Sequence, residues 1–151
     1  MNTKVIGDWH KDFSLDELDG EALVVATALR EHLDDQYMLR DREVEMDGEV
    51  FTLDNCSSGC KLFRKEFSYV YSTNNYQTGD VDYHTKKVKG ALFHLVFDGG
   101  VLYDVLSPNG DGELFYGVDA ITPIETILKE YGCELEPTTS YCYTIWKEES
   151  E

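Results

Sequence analysis

Basic residues are scarce in this chain. Its 151 residues hold 13 Lys and Arg against 30 Asp and Glu, a formal net charge of −17. Gripping phosphates requires a positive footprint, so direct contact with nucleic acid is not expected to drive its binding. Proline is equally sparse, with three residues, and no Pro- or Gly-rich linker, repeat or low-complexity segment divides the sequence. Residues 1–151 are therefore expected to form a single domain. No run approaches the roughly 18 apolar residues of a spanning helix. The stretch Met1–Lys11 lacks the apolar centre of a secretory leader. We expect a cytoplasmic protein with no membrane contact. Four cysteines do not make the disulfide framework of a small secreted domain. They read as reduced thiols, with Cys133 and Cys142 buried as small apolar side chains. Also missing are a phosphate-binding glycine loop, an H-E-x-x-H pair and a G-x-S-x-G elbow.

What the chain does have is apolar mass. Apolar residues make up 42 %, with ten Tyr, seven Phe and two Trp, which excludes a fully disordered polymer. A chain of this length buries roughly two-thirds of its unfolded surface. The charge is uneven. Residues 1–50 hold 14 acids and 5 bases, residues 51–100 hold 5 acids and 6 bases, and residues 101–151 hold 11 acids and 2 bases. Two acidic ends thus flank a near-neutral middle carrying Lys61, Arg64, Lys65, Lys86, Lys87 and Lys89. Such a distribution attracts a cationic partner, although acidic surfaces also serve solubility alone.

Ser14-Leu15-Asp16-Glu17 has the form of a capping box, so a helix is expected to begin there. Leu15, Leu18, Ala22, Val25, Leu29 and Leu33 follow at helical spacing. Leu23 and Val24 break that stripe, which predicts a helix buried between layers, with Gly20 as a kink or as the true start. Arg42–Met46 and Glu49–Leu53 flank Asp47-Gly48, a strong hairpin signal, because that turn needs positive φ at both central residues. A long strand is predicted over residues 62–71, a loop over Ser72–Asp80, and strands over Ala91–Phe97, Val101–Leu106, Leu114–Val118 and Tyr141–Trp146. Thr122-Pro123-Ile124-Glu125 opens a short C-terminal helix that Gly132 ends. The expected fold is α+β: a mainly antiparallel sheet of about six strands, a buried N-terminal helix and a short C-terminal helix.

Two constellations bear on chemistry. His94 stands on one predicted strand and Asp104 ends the next, across Asp98-Gly99-Gly100. This resembles the His strand of papain-like and transglutaminase-like hydrolases. The resemblance implies His94 as a base oriented by Asp104. In those folds the nucleophile sits at the N-terminus of the preceding helix, where the dipole activates a thiol. The matching stretch here, Asp19-Gly20-Glu21-Ala22, contains no Cys. Cys56 and Cys60 precede His94 in the right chain order but lie in a predicted loop. Together with Cys133 and Cys142 they could form a four-thiolate zinc set, yet the Cys-x3-Cys and Cys-x8-Cys spacings suit it poorly. Asn109-Gly110-Asp111-Gly112-Glu113 lacks the first and twelfth ligands of a calcium-binding EF-hand loop. No metal and no cofactor is expected.

Two functional expectations follow. The first is a non-enzymatic binding protein that presents Asp16, Glu17, Glu31, Asp34, Asp35, Asp41, Glu43, Glu45, Asp47 and Glu49, with Glu134, Glu136, Glu148 and Glu149, to a basic, nucleic-acid-binding protein. In size, charge and lack of motifs the chain resembles the small acidic phage inhibitors of restriction and CRISPR enzymes. That resemblance implies electrostatic mimicry of phosphates and antagonism of a defence system. The second is a small cysteine hydrolase using Cys56 or Cys60 with His94 and Asp104, or an inactive version of that fold kept as a binding scaffold. A separate patch would arise if Tyr71, Tyr76 and Tyr83 are exposed beside Lys86–Lys89, because Tyr is favoured at binding hot spots. The oligomeric state is not legible from the sequence.

Overall fold

The structure, a computed structural model, describes residues 3–5, 9, 11–53, 61–97, 100–107 and 119–148. It is α+β, but the strands do not share one sheet. They form antiparallel sheets of three, four and two strands.

The N-terminal helix begins later than the capping box implied. A short 3-10 turn spans Lys11–Phe13, and the Ser14 hydroxyl accepts the N–H of Asp16 at 3.1 Å. Helix α1 runs Gly20–Tyr37. Gly20 sits at φ +55°, a conformation open to glycine and costly for other residues, so the chain turns into the helix there. Leu15 and Leu18 reach the core from the preceding turn. Ala22, Val25, Ala26, Leu29 and Leu33 form the buried face, while Leu23 and Val24 are 38 % and 54 % exposed. The helix therefore covers the core with one face and is not sandwiched between layers. It ends on Met38 at φ 56°, whose N–H bonds the Asp34 carbonyl at 2.8 Å.

The first sheet joins β1 (Thr3–Val5), β2 (Arg42–Met46) and β3 (Glu49–Leu53) in sequence order. The Asp47-Gly48 turn behaves as expected, with φ of 53° and 79°. The long strand predicted over residues 62–71 breaks into β4 (Phe63–Arg64) and β5 (Phe67–Asn74). β5 pairs along its length with β6 (Val81–Val88), making a two-stranded ribbon. The central sheet has the order β4-β7-β9-β8, with β7 at Phe93–Val96, β8 at Cys133–Thr139 and β9 at Cys142–Lys147.

Residues 101–106 correct the sequence reading. They belong to helix α2 (Gly100–Leu106), not to a strand. Leu102 and Leu106, four apart, point into the core, so the apolar run satisfies a helical period as well as an extended one. Helix α3 (Ile121–Glu130) buries Ile124 and Leu128. Its first N–H groups bond to Asp119, whose Oδ1 accepts from Ile121 and Thr122 at 3.2 and 3.1 Å, so Asp119 replaces Thr122 as the capping side chain. Gly132 follows α3 at φ +69° as expected. The predicted strand 114–118 lies outside the described residues.

Strand β7 is buried on both faces. Phe93 and Leu95, with Phe63, Tyr143 and Ile145, meet α1, α2 and α3 in the main core. Each fully buried Phe or Leu side chain there contributes about 1.5–3 kcal/mol. The opposite face carries His94, Val96, Cys142 and Thr144, and the foot of the ribbon, Phe67 and Tyr69, packs against it. The ribbon thus packs on the face of the central sheet that carries His94 and Thr144.

Candidate functional site

The carboxylates expected to make a docking face separate into two kinds. Asp34 is 3 % exposed and consumed by internal partners. Its Oδ1 accepts the Arg40 backbone N–H at 2.8 Å, and its Oδ2 accepts Arg40 Nε at 3.2 Å, Arg40 Nη2 at 3.0 Å and Arg42 Nη2 at 3.0 Å. Burial alone raises its pKa; the Arg40 hydrogen bonds and the two guanidinium charges outweigh that and hold it below the ordinary value. Trp9 stacks beneath the same cluster, with Arg30 and Arg40 at 4.1 and 4.5 Å from its ring centre. Asp34 is therefore a clasp joining the end of α1 to β2. Asp16 and Glu17 both pair with Lys61, and Glu17 also accepts the Lys65 backbone N–H. Three of the ten expected docking carboxylates thus have ion-pair partners within the fold, two of them sharing Lys61.

The remaining seven face water to different degrees. Glu31 and Asp35 are exposed on the polar side of α1, Asp41 and Glu43 are half-buried, and Glu45, Asp47 and Glu49 are exposed on the β2–β3 hairpin. Register places Glu45 opposite Val50, and Val44 and Met46 opposite Phe51 and Glu49. Met46, Val50 and Phe51 are 48 %, 62 % and 46 % exposed. The hairpin therefore shows apolar side chains among carboxylates on both faces, and successive carboxylates on one face recur at about 7 Å. Those three apolar residues were missed in the sequence. The signal was there: Val50 and Phe51 are neighbours on a strand and cannot both point inward.

The C-terminal acids form a separate patch. Glu134 and Glu136 on β8 and Glu148 line a groove of about 490 Å³ with Trp146 and Lys147. Lys147 pairs with Glu21 across from it. This patch belongs to the central sheet and the hairpin to the first sheet, so the two acidic ends are built on different sheets. Glu149 lies outside the described residues.

The hydrolase constellation does not assemble as expected. His94 is 1 % exposed, and its Nδ1 lies 3.0 Å from the Thr144 hydroxyl. Thr144 in turn contacts the Thr138 hydroxyl. Burial and the nearby Arg64 charge lower the His94 pKa. Asp104 is exposed on α2, not on a neighbouring strand. Cys56 and Cys60 lie outside the described residues. Cys133 and Cys142 are buried thiols, and burial pushes Cys142 up to about 12. Register pairs Cys133 with Lys147 and Cys142 with Thr139, so the two lie about 17 Å apart along the hairpin. They cannot share one zinc ion. Among the described residues no group of three or more His, Cys, Asp or Glu is placed to hold a metal.

The tyrosine patch is open. Tyr71, Tyr76 and Tyr83 are 45 %, 92 % and 75 % exposed, and Val70 and Val81 join them at 64 % and 46 %. Tyr71 stacks on His84 at 5.1 Å, and Thr73 Oγ1 lies 3.0 Å from His84 Nε2. An aromatic row, Phe67, Tyr69 and Tyr71, runs from the core out along one face of the ribbon. Periodicity does not reveal β6, because both its faces meet water and leave no apolar alternation to detect.

Among the described residues no helix is long and apolar enough to cross a membrane. Compared with protein-family models, curated proteins and solved structures, the chain matches none.

Proposed function

We propose that the protein is a non-enzymatic binding protein that docks its β2–β3 hairpin on the basic, nucleic-acid-binding surface of a partner protein in the cytoplasm and occludes it. One observation carries this reading. Met46, Val50 and Phe51 stand exposed among Glu43, Glu45, Asp47 and Glu49. Apolar anchors ringed by charge are the composition of a binding hot spot, in which the anchors supply affinity and the charges supply approach and register. The carboxylates take the place of phosphates against Arg and Lys, while the net charge of −17 draws the partner in. An inhibitor of this kind, such as a phage-encoded antagonist of a nuclease, needs no catalytic residues of its own.

The test uses the tagged full chain and a variant in which Glu43, Glu45 and Glu49 become Gln and Asp47 becomes Asn. Proteins captured from lysate at low salt are challenged with duplex DNA. The reading predicts a captured protein that DNA displaces and the variant fails to hold. Capture indifferent to both would overturn it.

A further inference from the structure

The bases of this chain are not scattered. At the foot of the ribbon, Lys65, Lys87 and Lys89 surround a cleft of about 250 Å³, closed by Val88, Gly90, Ala91 and Leu92, with Glu66 on its rim and His94 among its lining residues. Glu66 is tied to Lys87 at 3.3 Å. Among the described residues no carboxylate lies within 4 Å of the Lys65 or Lys89 ammonium. Acids outnumber bases 30 to 13 here, so two lysines lacking carboxylate partners on one concave site run against the composition of the whole surface.

The remainder of the lining is built and not merely charged. His94 is 1 % exposed and held by Thr144, so its ring orientation is fixed before any ligand arrives. Arg64 pairs with His94 across the β4–β7 ladder and stands outside the cleft lining, one residue before Lys65. Lysine suits phosphate as a mobile point charge, and several converging on one cleft supply charge-assisted hydrogen bonds.

We propose that this cleft binds a single phosphate group, free or carried by a small molecule, between Lys65 and Lys89, with His94 among the residues that line it. The size of the cleft sets the ligand class. Its volume lies below the range of sites that enclose a drug-sized ligand, so it encloses a phosphate and a few further atoms. The cleft shares no lining residue with the acidic hairpin, which belongs to another sheet.

The probe is inorganic phosphate, titrated into the full chain while the ring signals of His94 are followed by NMR, with sodium chloride at matched ionic strength as the control. Saturable movement of the His94 signals by phosphate and not by chloride is expected. Lys65→Ala and Lys89→Ala each weaken the binding at least about tenfold, as loss of a charge-assisted hydrogen bond does. Both side chains lie outside the core, so the variants keep the fold, which unchanged core methyl signals verify. Equal, non-saturating movement with both salts would overturn the proposal. So would saturable binding that both variants leave unaltered. A phosphate monoester probe, phosphoethanolamine, separates the sources: tighter binding than inorganic phosphate assigns the site to a carried group, and equal or weaker binding assigns it to the free ion.

Discussion

Asp34→Ala removes one acceptor and orphans several donors. The carboxylate receives one backbone N–H and three guanidinium contacts, from Arg40 and Arg42, whose side chains are 28 % and 12 % exposed. Deleting one partner of a buried pair costs about 3–5 kcal/mol, because the other charge stays buried without compensation. Arg40 retains enough solvent to place the loss near the lower end, at about 3 kcal/mol. For a chain of this length each kcal/mol moves the melting temperature by roughly 2–4 °C, so a fall of roughly 6–12 °C is expected by calorimetry. The pH dependence gives a second reading. The folded pKa of Asp34 lies below its unfolded value, so its stabilisation is complete above the unfolded value, near 3.8, and is lost as pH falls through the folded one. The stability gap between wild type and Asp34→Asn is therefore constant from neutral pH to about 4 and closes below that. A melting temperature within about 2 °C of wild type would refute the clasp and return Asp34 to the docking carboxylates.

Gly48→Val forces a β-branched residue to φ +79° with no neighbour within 4 Å of the new Cβ, so the cost is backbone strain alone, about 1–2 kcal/mol. It is expected to lower amide protection in β2 and β3 while leaving β7 and β9 unchanged in hydrogen exchange. Native protein treated with iodoacetamide at pH 7 is expected to leave Cys142 unmodified, because it is fully buried and its thiol is pushed up to about 12. Peptide mapping after labelling checks this. Labelling of Cys56 or Cys60 far faster than a free thiol would restore the hydrolase reading.

Some of the fold was legible and some was not, for physical reasons. The Asp47-Gly48 turn and the Gly132 helix end were readable because a positive φ leaves a residue signature in the sequence. The apolar spacing of Val101–Leu106 fits a strand as well as a helix, and packing of Leu102 and Leu106 decides for the helix. β8 went unread although Cys133, Glu134, Leu135 and Glu136 alternate; only pairing with β9 makes that short run a strand. Among the acids, Asp34 and Asp35 are identical in local sequence terms. Which of them meets Arg40 and Arg42 depends on where the chain returns after α1, and no local pattern encodes that. The exposed hairpin apolars were legible in principle. The cleft at the foot of the ribbon was not, since it gathers residues from the β4–β5 turn, the end of β6, the segment after it and β7.

The central claim is that exposed hairpin carboxylates meet a cationic surface. It is tested most directly by the salt dependence of affinity for the DNA-displaceable partner, measured for the full chain and for the hairpin variant with Glu43, Glu45 and Glu49 as Gln and Asp47 as Asn. The account predicts that affinity falls steeply with salt for the wild type and that the variant binds more weakly with a flatter slope. The same affinity and the same slope for both chains would contradict it.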